Sequence, residues 1–336
     1  MNIVLTGSVA YDYLMTFPGY FRDHILPDHL DSISLSFLVD SMVRLRGGVA
    51  PNIAYTLALL GEHPHLFATV GEDFEEYRAW LESLGVDTRG ARVIPGVYTA
   101  SFFANTDRSN TQISSFYPGA MAYAGQLSMR ETLQWNPDLV LISPNDPDAM
   151  SAYVRECQEL GLAYAYDPSQ QVVRLSAEDL RCGVLGAAAV FVNEYEYFLI
   201  QKNTELEVDQ ILQRSPAGGV VNGGRGPFLV VTEGEKGATI YAEGEQWHVP
   251  VVPPEQIVDP TGVGDAFRGG FLTGFGHGLD WQTCGQMGSL AATYCLEQRG
   301  PQGHSYTPPE FLMRYRKHFD DQGRLDFLLE TSKGKF

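Results

Sequence analysis

The sequence is short of positive charge. Its 336 residues hold 23 Lys and Arg against 41 Asp and Glu, a formal net charge of −18 at pH 7. Nucleic acid and anionic membrane surfaces both ask for a basic face, so neither is an expected partner. A small anionic ligand stays open, because a few local donors and a metal ion outweigh distant charge. Long apolar runs are also missing, and none approaches the roughly 18 residues of a membrane span. No basic residue precedes Arg22. That leaves no n-region for a secretory leader, and the expected location is the cytoplasm. Cys157, Cys182, Cys284 and Cys295 show no C-x-x-C spacing and read as free buried thiols. There is no H-E-x-x-H, and "HPH" at His63–His65 reads as a turn entering a strand, so zinc is not expected. Neither a Walker A sequence nor a complete G-x-G-x-x-G occurs, which removes the usual P-loop and dinucleotide readings.

What is present suits one large α/β unit. The chain is 44% hydrophobic, enough for a sizeable core. "NIVLTG", "HLFATVG", "DLVLIS", "LAYAYD", "AAVFVN" and "FLVVTEG" read as buried strands. Between them, "PNIAYTLALLG", "FEEYRAWLESLG", "DPDAMSAYVRECQELG" and "EYEYFLIQ" read as helices, and two more are expected over 265–276 and 281–297. Such alternation predicts a mostly parallel sheet flanked by helices, with ligands beyond the C-terminal strand ends. Two segments break the rhythm. Residues 11–46 are irregular and rich in Phe and Leu, while 98–117 read as two strands around "TDRSN". Together they predict a small, discontinuous β layer. The Ser215–Gly226 stretch is glycine-rich and reads as a flexible surface loop.

One motif carries chemistry. In "DPTGVGDAFRGGF", Gly262 and Gly264 lead into Asp265 and an apolar helix. Helix N-termini receive anions, yet an acid stands there. Backbone N–H groups of Gly262, Val263 and Gly264 cradling a phosphoryl group would explain it, with Asp265 as base for the attacking hydroxyl. Read alone, the motif equally describes an ordinary helix start with an acid in its first turn.

Three more segments accompany it, and together they resemble the ribokinase-like (PfkB) carbohydrate and nucleoside kinases. "RGGVAPNIAYTLALLG" looks like that family's N-terminal glycine-pair signature. "NEYE" matches its N-x-x-E pattern and "TEGEKG" its T-x-G-x-x-G nucleotide segment. "TGSVAYDYLMTFPGYF", "LSFLVD", "QISSFYPGAM" and "YDPSQQ" are similar to bacterial adenosine kinases of the mycobacterial type within that family. The resemblance runs from about Asn2 to about Gly300; the 215–226 loop and the last thirty or so residues fall outside it.

The resemblance implies a ribokinase-like fold with a β lid over about 11–46 and 98–117. It implies ATP-dependent phosphorylation of adenosine at the 5′-hydroxyl, giving AMP in purine salvage, with Mg²⁺. Asp12 would take two ribose hydroxyls, which one carboxylate does well, and Ser8, Ser36, Gly48 and Asn52 would complete the sugar site. Phe102 and Phe116 would stack on the purine, and Gln170 and Gln171 would meet its edge. Arg174 would face phosphate or close over the site. Asn193 and Glu196 would act on Mg²⁺ through water, although an N-cap with a Glu three residues on is also the pattern of a capping box. Thr232, Gly234 and Gly237 would hold the nucleotide. Arg268 reads as a structural ion-pair residue without chemistry. The other readings are a ribokinase or another sugar or nucleoside kinase, and a non-catalytic nucleoside sensor. An open lid edge predicts a homodimer.

Overall fold

The computed structural model describes residues 1–25, 34–213 and 225–330. The Ser215–Gly226 loop lies outside the described residues except at Arg225 and Gly226. In chain order the strands are β1 (Ile3–Thr6), β2 (Ala10–Thr16), β3 (Ser41–Gly47), β4 (His65–Val70), β5 (Asp87–Val93), β6 (Ala100–Thr106), β7 (Gln112–Tyr117), β8 (Leu139–Ile142), β9 (Tyr164–Tyr166), β10 (Ala189–Asn193), β11 (Phe228–Thr232), β12 (Ala238–Ala242) and β13 (Glu245–Val249). The helices are α1 (Val49–Leu59), α2 (Glu75–Ser83), α3 (Pro147–Leu160), α4 (Ala177–Leu185), α5 (Glu194–Thr204), α6 (Val208–Ile211), α7 (Val263–Gly276), α8 (Trp281–Leu296), α9 (Pro308–His318) and α10 (Phe327–Glu330).

Nine strands form the main sheet in the order β13-β12-β11-β10-β9-β8-β1-β4-β5. It is parallel from β5 to β11 and antiparallel at β12 and β13. The fold is ribokinase-like: a large, mostly parallel sheet between helical layers. Alternate residues feed alternate layers, as a period of two requires. Ile3, Leu5, Leu139, Leu141 and Phe191 pack with α1, α7 and α8. Val4, Val140, Ile142, Val190 and Val192 pack with α3, α4 and α5. Strands buried on both faces read as continuous apolar runs, and each fully buried Val, Leu or Phe side chain contributes about 1.5–3 kcal/mol.

The second sheet has four strands in the order β3-β2-β6-β7. The expected irregularity of 11–46 is replaced at both ends by regular antiparallel pairing, Tyr11 to Arg46 through Thr16 to Ser41. Polar residues on its exposed face hide this pattern from a hydrophobicity reading. The β12–β13 hairpin also went unread. Its turn is Glu243–Gly244, both with positive φ, a two-residue connection of the primed type. Three of the four free cysteines are buried, but Cys182 is only half-buried. Among the described residues no helix is long and apolar enough to cross a membrane.

Helix packing sets up the site. A Cβ on Gly269 of α7 would lie 2.6 Å from Cβ of Thr56 on α1. One turn earlier on each helix stand Asp265 and Asn52, brought within hydrogen-bonding distance by that close approach. Gly269→Ala should therefore cost about 1–3 kcal/mol through overpacking, more than the helix propensity it gains. Urea unfolding checks this, and an unchanged midpoint would mean the two helices have slack between them.

Candidate active site

The loops after β1, β8, β9, β10 and β11 meet at the C-terminal edge of the main sheet, under the second sheet. Ser8 N–H donates to the Pro144 carbonyl at 2.7 Å, tying the first two loops together. This is where neighbouring connections diverge and open sheets bind ligands. A cavity of about 770 Å³ opens there.

Its floor is the start of α7. Gly262 caps the helix with φ +80, and a Cβ there would lie 2.3 Å from that of Pro301. Only glycine meets both demands. Asp265, in the first turn, accepts a hydrogen bond from Asn52 Nδ2 at 2.9 Å. Asn52 Oδ1 in turn accepts from Gln302 Nε2 at 3.0 Å, which fixes its amide. Burial pushes the Asp265 carboxyl up to about 6, against the opposing pull of Arg268 and Asn52. Arg268 Nη2 donates to Asp167 Oδ1 at 2.7 Å. Asp167 is fully buried, and burial raises it to about 7 despite the guanidinium.

The roof is the second sheet. Asp12 lies opposite Leu45 on one side and Phe102 on the other, and Phe102 lies opposite Phe116. All four line the cavity. A Cβ on Gly47 would lie 2.7 Å from Asp12 Oδ2, so the glycine leaves room for the carboxylate. Burial, then the negative charge of Asp259, raises Asp12 to about 6. Gly48 has φ +93, and a Cβ there would lie 2.5 Å from the Ser8 carbonyl oxygen.

The walls are polar. Ser169, Gln170, Gln171 and Arg174 follow β9. Ser169 holds φ +42, a strained value for a residue with a side chain. Gln171 is buried, and its Oε1 has no protein partner. Asn193 and Glu196 form a reciprocal cap on α5, each side chain accepting from the other's backbone N–H at 2.8 Å. Thr232 and Gly234 also line the cavity.

Of the residues singled out from the sequence, Ser8, Asp12, Gly48, Asn52, Phe102, Phe116, Gln170, Gln171, Arg174, Asn193, Glu196, Thr232, Gly234, Gly262, Gly264 and Asp265 share this one cavity. Three do not reach its lining. Ser36 is exposed in a segment without regular structure. Val263 N–H points to the Pro260 carbonyl at 3.4 Å, which takes that donor out of the cradle. Gly237, at φ +104, would place a Cβ 2.0 Å from the Val249 carbonyl oxygen; it shapes a turn. The structural ion pair expected of Arg268 is made with Asp167, and the residue also lines the cavity beside Asp265. Asp259 was also missed, although it stands in the same motif. Its Oδ1 accepts from Thr261 N–H and its Oδ2 from Gly300 N–H, both at 2.9 Å.

The donor set suits a nucleotide and a hydrated cation. Helix N-termini leave N–H groups free for phosphate. Among the described residues no cluster of three or more His, Cys, Asp or Glu forms a metal cage. Mg²⁺ bound with phosphates needs none, since it keeps several waters and one or two carboxylates serve. Glu196 Oε1 is the acceptor that the α5 cap leaves over.

Known proteins similar to this chain include nucleoside kinases. The chain is 29% identical over 319 residues to a nucleoside kinase of Methanothermobacter thermautotrophicus, covering 94% of this chain and 95% of that protein. The crystal structure of Methanocaldococcus jannaschii nucleoside kinase, 26% identical, superposes with a TM-score of 0.82, covering 95% of this chain and 99% of that one. Burkholderia thailandensis nucleoside kinase in complex with inosine is 36% identical with a TM-score of 0.77, covering 94% and 98%; the same protein is also known in complex with ADP-inosine. The narrower likeness to mycobacterial-type adenosine kinases gives way to relatives named for nucleosides at large. Residues 9–308 match the model of the pfkB family carbohydrate kinases, and the chain belongs to that family.

Proposed function

We propose that the protein transfers the γ-phosphoryl group of ATP to the 5′-hydroxyl of a nucleoside, and that adenosine is the preferred acceptor. The observation that carries this reading is one cavity holding Asp12 and the facing Phe102–Phe116 pair in its roof and Asp265 at a helix N-terminus in its floor. Asp12 is the acceptor for the ribose 2′- and 3′-hydroxyls. The two rings take the base, for which aromatic stacking supplies roughly 1–3 kcal/mol. The open Gln171 carbonyl oxygen suits an exocyclic amino group, which adenosine carries and inosine lacks. The ribose 5′ end then points to the floor.

There Asp265 accepts the hydroxyl proton as the new oxygen–phosphorus bond forms and ADP leaves. Asn52 orients the carboxylate for that task. Free N–H groups in the first turn of α7 receive the phosphoryl oxygens. Thr232 and Gly234 border the nucleotide end. Asn193 and Glu196, the latter through water, would hold Mg²⁺, which when bound neutralises phosphate charge. The second sheet acts as a lid that shuts water out. Every residue of β7 is exposed, and Ile113 and Tyr117 add apolar area to that open edge. A second copy pairing there gives a homodimer.

Three outcomes test this reading. With ATP and Mg²⁺, ADP should form with adenosine ahead of inosine, guanosine, cytidine and ribose. Asp265→Asn should lose about 10²–10⁴-fold in turnover while folding normally, and Phe102→Ala should raise the nucleoside KM about 5- to 150-fold. Ribose as the sole acceptor, unaffected by Phe102→Ala, would sink the nucleoside assignment. Because Asp12 and Asp265 are both raised to about 6, activity needs both ionised and falls as pH drops through that value. The acid limb of kcat/KM should approach a slope of two, and that of kcat a slope of one once bound ribose holds Asp12. An acid limb near pH 4 would contradict the burial of both groups. Light scattering should give twice the 37.1 kDa of one chain; a single-chain mass removes the lid dimer.

A further inference from the structure

The guanidinium of Arg268 has no place in the chemistry just described, yet its position is built with care. Side chains on a helix lean toward its N-terminus. Arg268, four residues after Gly264, therefore folds back over the first turn of α7. Its Nη1 stands 2.8 Å from where a Cβ on Gly264 would be. A side chain at 264 would push the guanidinium from this place, so the glycine makes space for the cation.

The group is tethered from behind. Nη2 donates to Asp167 at the end of β9, and no other hydrogen bond of this guanidinium to a described residue is present. Nε is buried without a partner, and so is the second carboxylate oxygen of Asp167. A pair kept only for stability fares poorly on such terms, since a half-satisfied buried ion pair is weak or unfavourable against apolar packing. Around the guanidinium lie Asp167, Glu196 and Asp265. One side of Arg268 still lines the cavity, next to Gly264 and Asp265.

We propose that Arg268 is a catalytic residue of the phosphoryl transfer, its guanidinium meeting the equatorial oxygens of the transferring group beside Gly264, with Asp167 as the positioning residue that aims it. This rests on the kinase reading above. Phosphoryl transfer spreads negative charge over three equatorial oxygens, and an arginine supplied within the chain stabilises that charge. The planar fork of donors fits such oxygens better than an ammonium does. The bond from the 5′-oxygen to phosphorus forms, the bond from phosphorus to the ADP oxygen breaks, ADP keeps the electron pair, and Asp265 takes the proton. Arg268 exchanges no proton.

The test compares Arg268→Met, Arg268→Lys and Asp167→Asn with the wild-type chain, using whichever nucleoside the wild type phosphorylates best. Arg268→Met should lower kcat about 100-fold or more with the nucleoside KM within about threefold. Calorimetry with nucleoside, ADP and aluminium fluoride, a planar phosphoryl mimic, should show that its extra affinity over ADP alone is lost. Asp167→Asn should lower kcat about tenfold with the same pattern. Turnover of Arg268→Met within about fivefold of wild type overturns the assignment. So does an equal loss of ADP and mimic affinity, which marks a structural role. If Arg268→Met does not fold, Arg268→Lys decides: about tenfold loss of kcat at an unchanged melting midpoint is expected, and wild-type turnover overturns the assignment. A wild-type chain that forms no ADP with any acceptor sinks the kinase reading itself; an active wild type with an active Arg268→Met sinks only this inference.

Discussion

The bond from Arg268 to Asp167 joins the helix that carries Asp265 to the middle of the main sheet. A buried ion pair of this kind is a poor source of stability, because desolvation offsets most of the attraction. It is a good source of position. Removing either partner strands the other charge away from water, so α7 cannot rotate or slide without a large penalty. Asp265 rides on that helix. The Asn52 contact holds it from α1, and the site geometry follows from α7 being held from two sides.

The tight packing that allows this needs small residues at particular places. Gly269 lets α7 approach α1. Gly270 does the same toward α8, where a Cβ would lie 2.5 Å from the Met287 carbonyl oxygen. Gly262 and Gly264 lie on the same helix and serve the cavity instead. One glycine-rich helix therefore does two jobs: close backbone packing below, and an open cavity floor above.

That double use explains what sequence reading reaches and what it misses. The strand and helix alternation was legible because strands covered on both faces are continuous apolar runs, and the motif around Asp265 was legible because three further segments of the same family pattern accompany it. Arg268 makes the ion pair expected of it, but a charged residue one turn into an apolar helix gives no sign of where its long side chain ends; only Asp167, 101 residues away, fixes that. Asp259 was missed because it acts through backbone N–H groups and through its field on Asp12. Ser36 and Gly237 were carried over from motif likeness; Ser36 is exposed in a segment without regular structure, and the positive φ of Gly237 shapes a turn. The β2–β3 pairing was hidden because a sheet with one exposed face follows neither a continuous nor a cleanly alternating apolar pattern.

The acidic balance of the chain raises a last physical question, how such a protein accepts a polyphosphate. Distant charges are screened within about 8 Å at physiological salt, so the −18 of the whole chain matters less than the cavity wall. The wall is itself acidic: Asp12, Glu196, Asp259 and Asp265 line it together with Arg174 and Arg268. Burial softens this by lifting Asp12 and Asp265 toward neutrality, but near pH 7 both remain mostly ionised. Two guanidinium groups cannot balance four carboxylates and a triphosphate. Backbone N–H groups at the start of α7 add only partial charge, of the order of half a unit. A polyphosphate bound there would need further positive charge, which a cation carried with the nucleotide would supply. The same acidity disfavours a bare anion at the wall.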